Sequence, residues 1–219
     1  MSRTPVPSEH SLRRQIIEAG RRLFDHGLVT ASDGNLSIRL GEDRILITPA
    51  GANKGRIESG DLIVIDLEGR PLPGSAGRVP STEAPMHLEV YRSVAAAGAV
   101  VHAHPPCAVA LTVAGIPFPV DVLPEIVATL GEVPVTQISM PSTPEDAEAI
   151  RPFVAAHRAI LLAHHGSLTY GETLEEAVAH VERLEHAAAV YWLASCSGNV
   201  HRLPPELTAR LKAWSSSSG

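Results

Sequence analysis

Two apolar runs of the chain end in histidines. Residues 99–107 read AVVHAHPPC and residues 158–166 read RAILLAHHG. A strand repeats every two residues, so His102 and His104 point to one face, with Val101 and Ala103 on the other. Two neutral imidazoles a few ångströms apart clamp a divalent ion. A third, from the other run, completes a site that keeps a position open for substrate. His164 and His165 are adjacent and point to opposite sides, so at most one of them joins. The competing reading is two strand ends that happen to be rich in histidine.

A second group lies in PSTEAPMHLEVYR, residues 80–92. A helix N-terminus exposes unpaired N–H groups and partial positive charge. With the hydroxyls of Ser81 and Thr82 it makes a phosphate cradle. Glu83 would present a carboxylate to the same place, or be a favourable first-turn acid in an ordinary capped helix. A third group is SDGNLS (32–37) with TPAG (48–51). Gly34, Asn35 and Gly51 let backbone approach an anion closely, or merely close two hairpins. Lys54 adds a charge just beyond. His87, four residues after Glu83, shares its helix face; we read it as packed, with a supporting place behind the site's direct contacts as the alternative. His180 and His186 read as structural. Tyr91, Tyr191 and Trp192 read as core, and Cys107 is not needed as a ligand.

These side chains need elements to hold them. Helical spacing covers 8–26, with Ser8 or Ser11 as cap and Gly27 as stop. Strands are expected over 34–40, 44–51 and 61–69, followed by a Pro/Gly loop over 71–80. A helix over 81–94 takes Ser81 as its N-cap and holds Pro85 in its first turn. Buried strands occupy 98–105 and 158–166, and a helix 107–115. Residues 117–138 read as strand, loop and strand. Helices follow over 143–157, over 173–194 with Thr173 as cap and Glu176 at the capping-box offset, and over 204–214. Strands and helices alternate without a linker, which makes one α/β domain with helices on both faces of a sheet. The final WSSSSG reads as frayed.

With 219 residues, 44% hydrophobic and 19% charged, the chain has material for a real core. Its net charge of -6 and lack of a basic run give nucleic-acid binding no support. The apolar runs 94–102 and 187–194 are too short to span a bilayer, and MSRTPVPSEH has no signal-peptide core. Cys107 and Cys196 match no zinc or redox spacing. A reduced, cytoplasmic protein is expected.

In order, GNLSIR, ITPAG, PSTE, HAHP and HHG, then a long helix, resemble the class II aldolase/adducin family over about residues 10–195. The resemblance implies a single domain over 1–219, three-layer α/β/α with a largely antiparallel central sheet, residues 196–219 forming a tail. It also implies a homotetramer with active sites at subunit contacts. Position by position, it makes His102, His104 and His165 the metal ligands. It assigns phosphate contacts to Gly34, Asn35, Gly51, Ser81 and Thr82, and acid/base work to Glu83. The cofactor is then one divalent ion per chain, zinc first, with manganese, cobalt or iron as other candidates. The implied activity is that of a lyase: an aldolase cleaving a ketose 1-phosphate to dihydroxyacetone phosphate and an aldehyde. A 5-deoxypentulose or methylthio-pentulose phosphate is the expected substrate, its apolar tail against residues 114–126. A 4-epimerase, a dehydratase or a decarboxylase would use the same site. A non-catalytic adducin-like binding module is the alternative of another class. Ala50 stands where family turns carry a hydroxyl, and residues 117–138 and 195–219 lack the tyrosines of the aldolase subgroup, which counts against fuculose phosphate.

Overall fold

The computed structural model describes residues 7–75 and 77–217. Its strands are β1 (Asn35–Arg39), β2 (Ile45–Ile47), β3 (Ile63–Ile65), β4 (Ala99–Ala103), β5 (Ala159–Leu162) and β6 (Gly166–Gly171). They form one sheet in the order β3-β2-β1-β4-β6-β5, every pairing antiparallel. The helices are α1 (Glu9–Asp25), α2 (Ala84–Ser93), α3 (Pro106–Val113), α4 (Pro124–Thr129), α5 (Pro144–Ile150), α6 (Leu174–Ser195) and α7 (Pro205–Ser217).

Strand alternation explains the layers. On one face Leu36, Leu46, Val64, Ala99 and Val101 pack against Ile16 and Leu23 of α1 and Val178 and Val181 of α6. On the other face Ile45, Ile63, Val100 and Leu168 pack against Met86 and Val90 of α2 and Ile150 of α5. The result is a three-layer α/β/α domain, and its strands are buried on both sides. A third cluster joins α3, α4 and β5 to Leu184 and Ala188 of α6. Among the described residues no helix is long and apolar enough to cross a membrane.

Local chemistry sets the helix ends. Ser8 Oγ accepts from Ser11 N at 3.2 Å, and Thr173 Oγ1 from Glu176 N at 3.2 Å. Such caps are each worth about 1 kcal/mol. Gly27 supplies the left-handed residue, φ +68°, just after α1. α5 stops at Ile150, short of the expected 157, because Pro152 follows.

Other expectations fail for identifiable reasons. Residues 117–138 hold α4 and no strand, only an isolated bridge from Val135 to Leu161. Pro117, Pro119 and Pro134 remove donors that a ladder needs, while Pro124 starts the helix. β6 was not expected, although it lies between β4 and β5. Trp192 is 46% exposed, not core. α7 continues through Ser217, past the predicted end. The start of the chain through residue 6, where a signal segment was judged absent, and the last two residues lie outside the described ones.

The junction below β4 admits no side chain. A Cβ on Gly98 would stand 2.0 Å from the Glu172 carbonyl oxygen. Gly98→Ala should therefore destabilise the fold by about 1–3 kcal/mol, the usual cost of overpacking, read as a lower urea midpoint. An unchanged midpoint would contradict this packing.

Candidate metal centre

β4 carries His102 on the same face as Val100 and in register with Asn35 of β1. His104 lies just past the strand end, its N–H donating to the Leu28 carbonyl at 2.8 Å. The connection from β5 to β6 brings the third ring. His164 is left-handed, φ +59°, and its N–H donates to Thr112 Oγ1 at 3.0 Å. That turn leaves the His164 side chain exposed and directs His165 inward.

One ring nitrogen from each of His102, His104 and His165 lies within 4.8 Å of the other two. His102 Nδ1 donates to the Ser167 carbonyl at 2.9 Å, so its Nε2 bears the lone pair. That Nε2 is 2.9 Å from His104 Nε2. Burial pushes the pKa of both rings down to about 4, so both are neutral ligands at neutral pH. The hydrogen bond to Glu83 raises that of His165, against burial. Three convergent imidazoles, one anchored through its second nitrogen, fit a first-row divalent ion with coordination positions to spare.

Gly166 makes the convergence possible. A Cβ there would stand 2.5 Å from the Ala103 carbonyl oxygen, 2.9 Å from His102 Cε1 and 3.0 Å from His104 Cδ2. The rings occupy the space a side chain would take.

Glu83 faces the rings from α2. The helix begins at Ala84, later than expected, and Glu83 rather than Ser81 is its N-cap, with no side-chain capping bond. Ser81 Oγ instead accepts from Glu83 N at 3.3 Å. Glu83 Oε1 is 3.3 Å from His165 Nε2, and Oε2 is 3.4 Å from His102 Nε2. Burial acts to raise its pKa. The hydrogen bond to His165, the field of His102 and a hydrogen bond from Asn35 outweigh it and hold the carboxyl well below the usual range. A divalent cation would push the same way.

The residues expected to hold phosphate come from three stitched segments. A bridge joins Pro49 to Pro80, and the N–H of Ser81 donates to the Thr48 carbonyl at 3.1 Å. Lys54, 2% exposed, donates to the carbonyls of Ser32 and Ala52 at 2.6 and 2.7 Å, tying the turn before Gly34 to the one bearing Gly51. Burial lowers its pKa to about 8. Thr82 is exposed and meets Ser142 Oγ at 2.8 Å. Asn35 has an unexpected partner: its amide donates to Glu83 Oε2 at 2.6 Å, which leaves one amide hydrogen.

A cleft of about 530 Å³ borders His104 and His165. Its wall is Pro106, Val109 and Val113 of α3 with Trp192, not residues 114–126, of which only Ala114 takes part. In sequence this wall is legible only as an apolar helix directly after the H-x-H pair.

A family model described as Class II Aldolase and Adducin N-terminal domain matches residues 14–192. Methylthioribulose-1-phosphate dehydratase of Methylococcus capsulatus is 36% identical over 185 residues, covering 78% of this chain and 88% of its own. 3-oxo-tetronate 4-phosphate decarboxylase of Haemophilus influenzae is 32% identical, covering 81% and 85%. 5-methylthioribulose-1-phosphate/5-deoxyribulose-1-phosphate aldolase of Rhodospirillum rubrum is 35% identical, covering 84% and 82%. Among solved structures, an L-fuculose 1-phosphate aldolase superposes with TM-score 0.85 at 30% identity, covering 95% of this chain and 97% of that one.

The geometry and the electrostatics of the site each yield a prediction. Gly166→Ala and His104→Ala should each fold yet lose bound divalent ion, measured by elemental analysis after dialysis; an ion retained by both would contradict the site. In the ion-free protein, His102 and His104 titrate near 4 and His87 near 3, against an ordinary 6.5. Between those values the unfolded chain binds protons that the folded one does not, so stability falls as pH drops below 6.5. Urea midpoints that stay level from pH 7 to about 4 would contradict this.

Proposed function

Because the chain belongs to the class II aldolase and adducin family, we propose that this metal-dependent lyase removes water from a ketose 1-phosphate with an apolar tail, methylthioribulose 1-phosphate. The observation that carries the reading is Glu83, a single carboxylate against three imidazoles, beside a cleft walled by Pro106, Val109, Val113 and Trp192. A tetronate substrate would bring a second anion. The described residues that line this cleft include neither lysine nor arginine to meet one.

His102, His104 and His165 would hold the ion. When bound, it polarises the substrate carbonyl and stabilises the negative charge that grows there. Ser81, Thr82, the Gly51 turn and the backbone of the Gly34–Asn35 turn hold the phosphate. Glu83, ionised at rest, takes the proton from the carbon beside the carbonyl. A double bond forms to the next carbon as its hydroxyl leaves. Glu83 gives the proton to that hydroxyl, so water departs and the carboxylate is restored. The remaining enol becomes a second ketone. One acid/base group closes the proton balance.

Aldol cleavage of the same substrate is the second reading, favoured by the similarity to the Rhodospirillum rubrum aldolase. It needs a further group to take the proton of the hydroxyl on the far carbon. Of the three tyrosines, Tyr91 and Tyr170 are buried and bonded to Ser37 and to the Val154 carbonyl, and Tyr191 packs against the cluster that joins α3, α4 and β5 to α6. A non-catalytic module would have no use for Glu83 against the three rings. We take zinc as the ion, on the all-imidazole donor set. We take a homotetramer as the assembly, as the family resemblance implies; Leu193, 71% exposed, offers apolar surface for a subunit contact. A cytoplasmic setting fits the two free cysteines.

The test is incubation of the metal-loaded protein with methylthioribulose 1-phosphate, followed by NMR and mass spectrometry. The expected product is the diketone phosphate, lighter by one water. Release of dihydroxyacetone phosphate would move the assignment to aldol cleavage. Turnover of 3-oxo-tetronate 4-phosphate instead would overturn the apolar-tail reading. Glu83→Gln should bind the same ion and lose activity by about 100- to 10,000-fold; full activity would remove Glu83 from its role.

A further inference from the structure

We propose that His87 is a positioning residue for Glu83, acting through a one-way chain of buried hydrogen bonds that runs Tyr91, Ser37, His87, Asn35, Glu83. The proposal rests on the reading that Glu83 moves the proton.

The chain alternates between a helix and a strand. Glu83, His87 and Tyr91 are spaced four residues apart on and just before α2, about 6 Å per step at the helical rise. Asn35 and Ser37 are two residues apart on β1, about 6.6 Å per step. The two periods nearly match, so each strand side chain sits between two helix side chains. Tyr91 OH is 2.8 Å from Ser37 Oγ, which is 2.6 Å from His87 Nδ1. His87 Nε2 is 2.6 Å from Asn35 Oδ1, and Asn35 Nδ2 is 2.6 Å from Glu83 Oε2. Ser37, His87, Asn35 and Tyr91 are all buried.

Only one arrangement of hydrogens satisfies the chain. An ionised carboxylate only accepts, so the Asn35 NH2 must face it. Asn35 Oδ1 then faces His87 and must accept, which places the His87 proton on Nε2. Nδ1 is left to accept from the Ser37 hydroxyl, and Ser37 Oγ to accept from Tyr91. Burial keeps the His87 ring neutral, with its pKa pushed down to about 3.

Glu83 needs such a hold. It stands at the N-cap position without a capping bond, so helix geometry alone leaves its side chain unrestrained. Turning the Asn35 amide over would put a carbonyl oxygen against the carboxylate and displace it. A misplacement of about 1 Å costs on the order of 100-fold in rate.

The experiment compares the metal-loaded wild type with His87→Phe, His87→Gln, Ser37→Ala and Tyr91→Phe. His87→Phe removes both ring bonds at similar volume. Its kcat should fall about 100-fold with KM and ion content unchanged. His87→Gln, whose amide N–H reaches Asn35 from the place of Nε2, should recover most of that loss. Ser37→Ala should lower kcat alone yet add nothing on top of His87→Phe. If His87→Phe does not fold, Ser37→Ala and Tyr91→Phe decide the matter. A lowered kcat at constant KM supports the chain, and an unchanged kcat in both overturns it. An unaffected kcat in folded His87→Phe also overturns it, as does a loss that tracks ion content and is not recovered by glutamine. The 15N NMR spectrum of the wild type should show His87 protonated on Nε2; protonation on Nδ1 overturns the chain. That spectrum needs no substrate. It therefore judges the proposal even if the wild type fails to turn over the ketose phosphate, a result that would sink the substrate assignment instead.

Discussion

The arrangement depends on a steric exclusion: at Gly166 the place of a Cβ is taken by the rings of His102 and His104 and by the Ala103 carbonyl. Antiparallel pairing sets Ala103 opposite Ser167, so the start of β6 lies against the histidine end of β4. From there the Ser167 carbonyl takes the Nδ1 proton of His102 and turns its lone pair outward. His165 sits in the turn between β5 and β6, directly before Gly166. Burial keeps His102 and His104 neutral, and their convergent lone pairs oppose one another unless a proton or a cation sits between them. Glu83 completes the balance by placing a negative charge beside them.

Rigid elements hold most of this constellation. His102 and Asn35 lie on paired central strands, and Glu83 borders a helix packed on the same face. Sites built on strands and helices hold their geometry more closely than sites built on loops. The turns proposed to hold the phosphate are loops, and they are stabilised differently, by the Pro49–Pro80 bridge and by a buried ammonium that crosslinks two backbone segments. The low-dielectric surroundings of Lys54 make its charge costly and also keep that charge effective at a distance.

Some of this was legible in the residues. The period of two put His102 and His104 on one face without further information. Choosing His165 over His164 took the family resemblance, because strand alternation separates the two but does not say which turns inward. The left-handed backbone at His164 is the physical reason, and it depends on Thr112 from a helix far away in sequence. Ser81 looked like the helix cap because hydroxyls cap well. Tertiary demands instead put Glu83 at that position with its carboxylate turned to the rings. β6 went unread because glycines bound it and its polar Ser167 and Thr169 point into buried space, where their hydroxyls find backbone partners. The apolar wall was sought in the proline-rich segment after α3, whereas the fold uses α3 itself and Trp192. Asn35 read as a backbone-approach residue. Its tie to Glu83 exists only once α2 lies across β1.

The most direct test of the account is X-ray absorption at the edge of the bound ion, on protein loaded with zinc. The account predicts one zinc per chain with three imidazole nitrogens at about 2.0–2.1 Å and the remainder of the shell oxygen. Sulfur in that shell, a single imidazole, or no zinc held by the folded chain would contradict it.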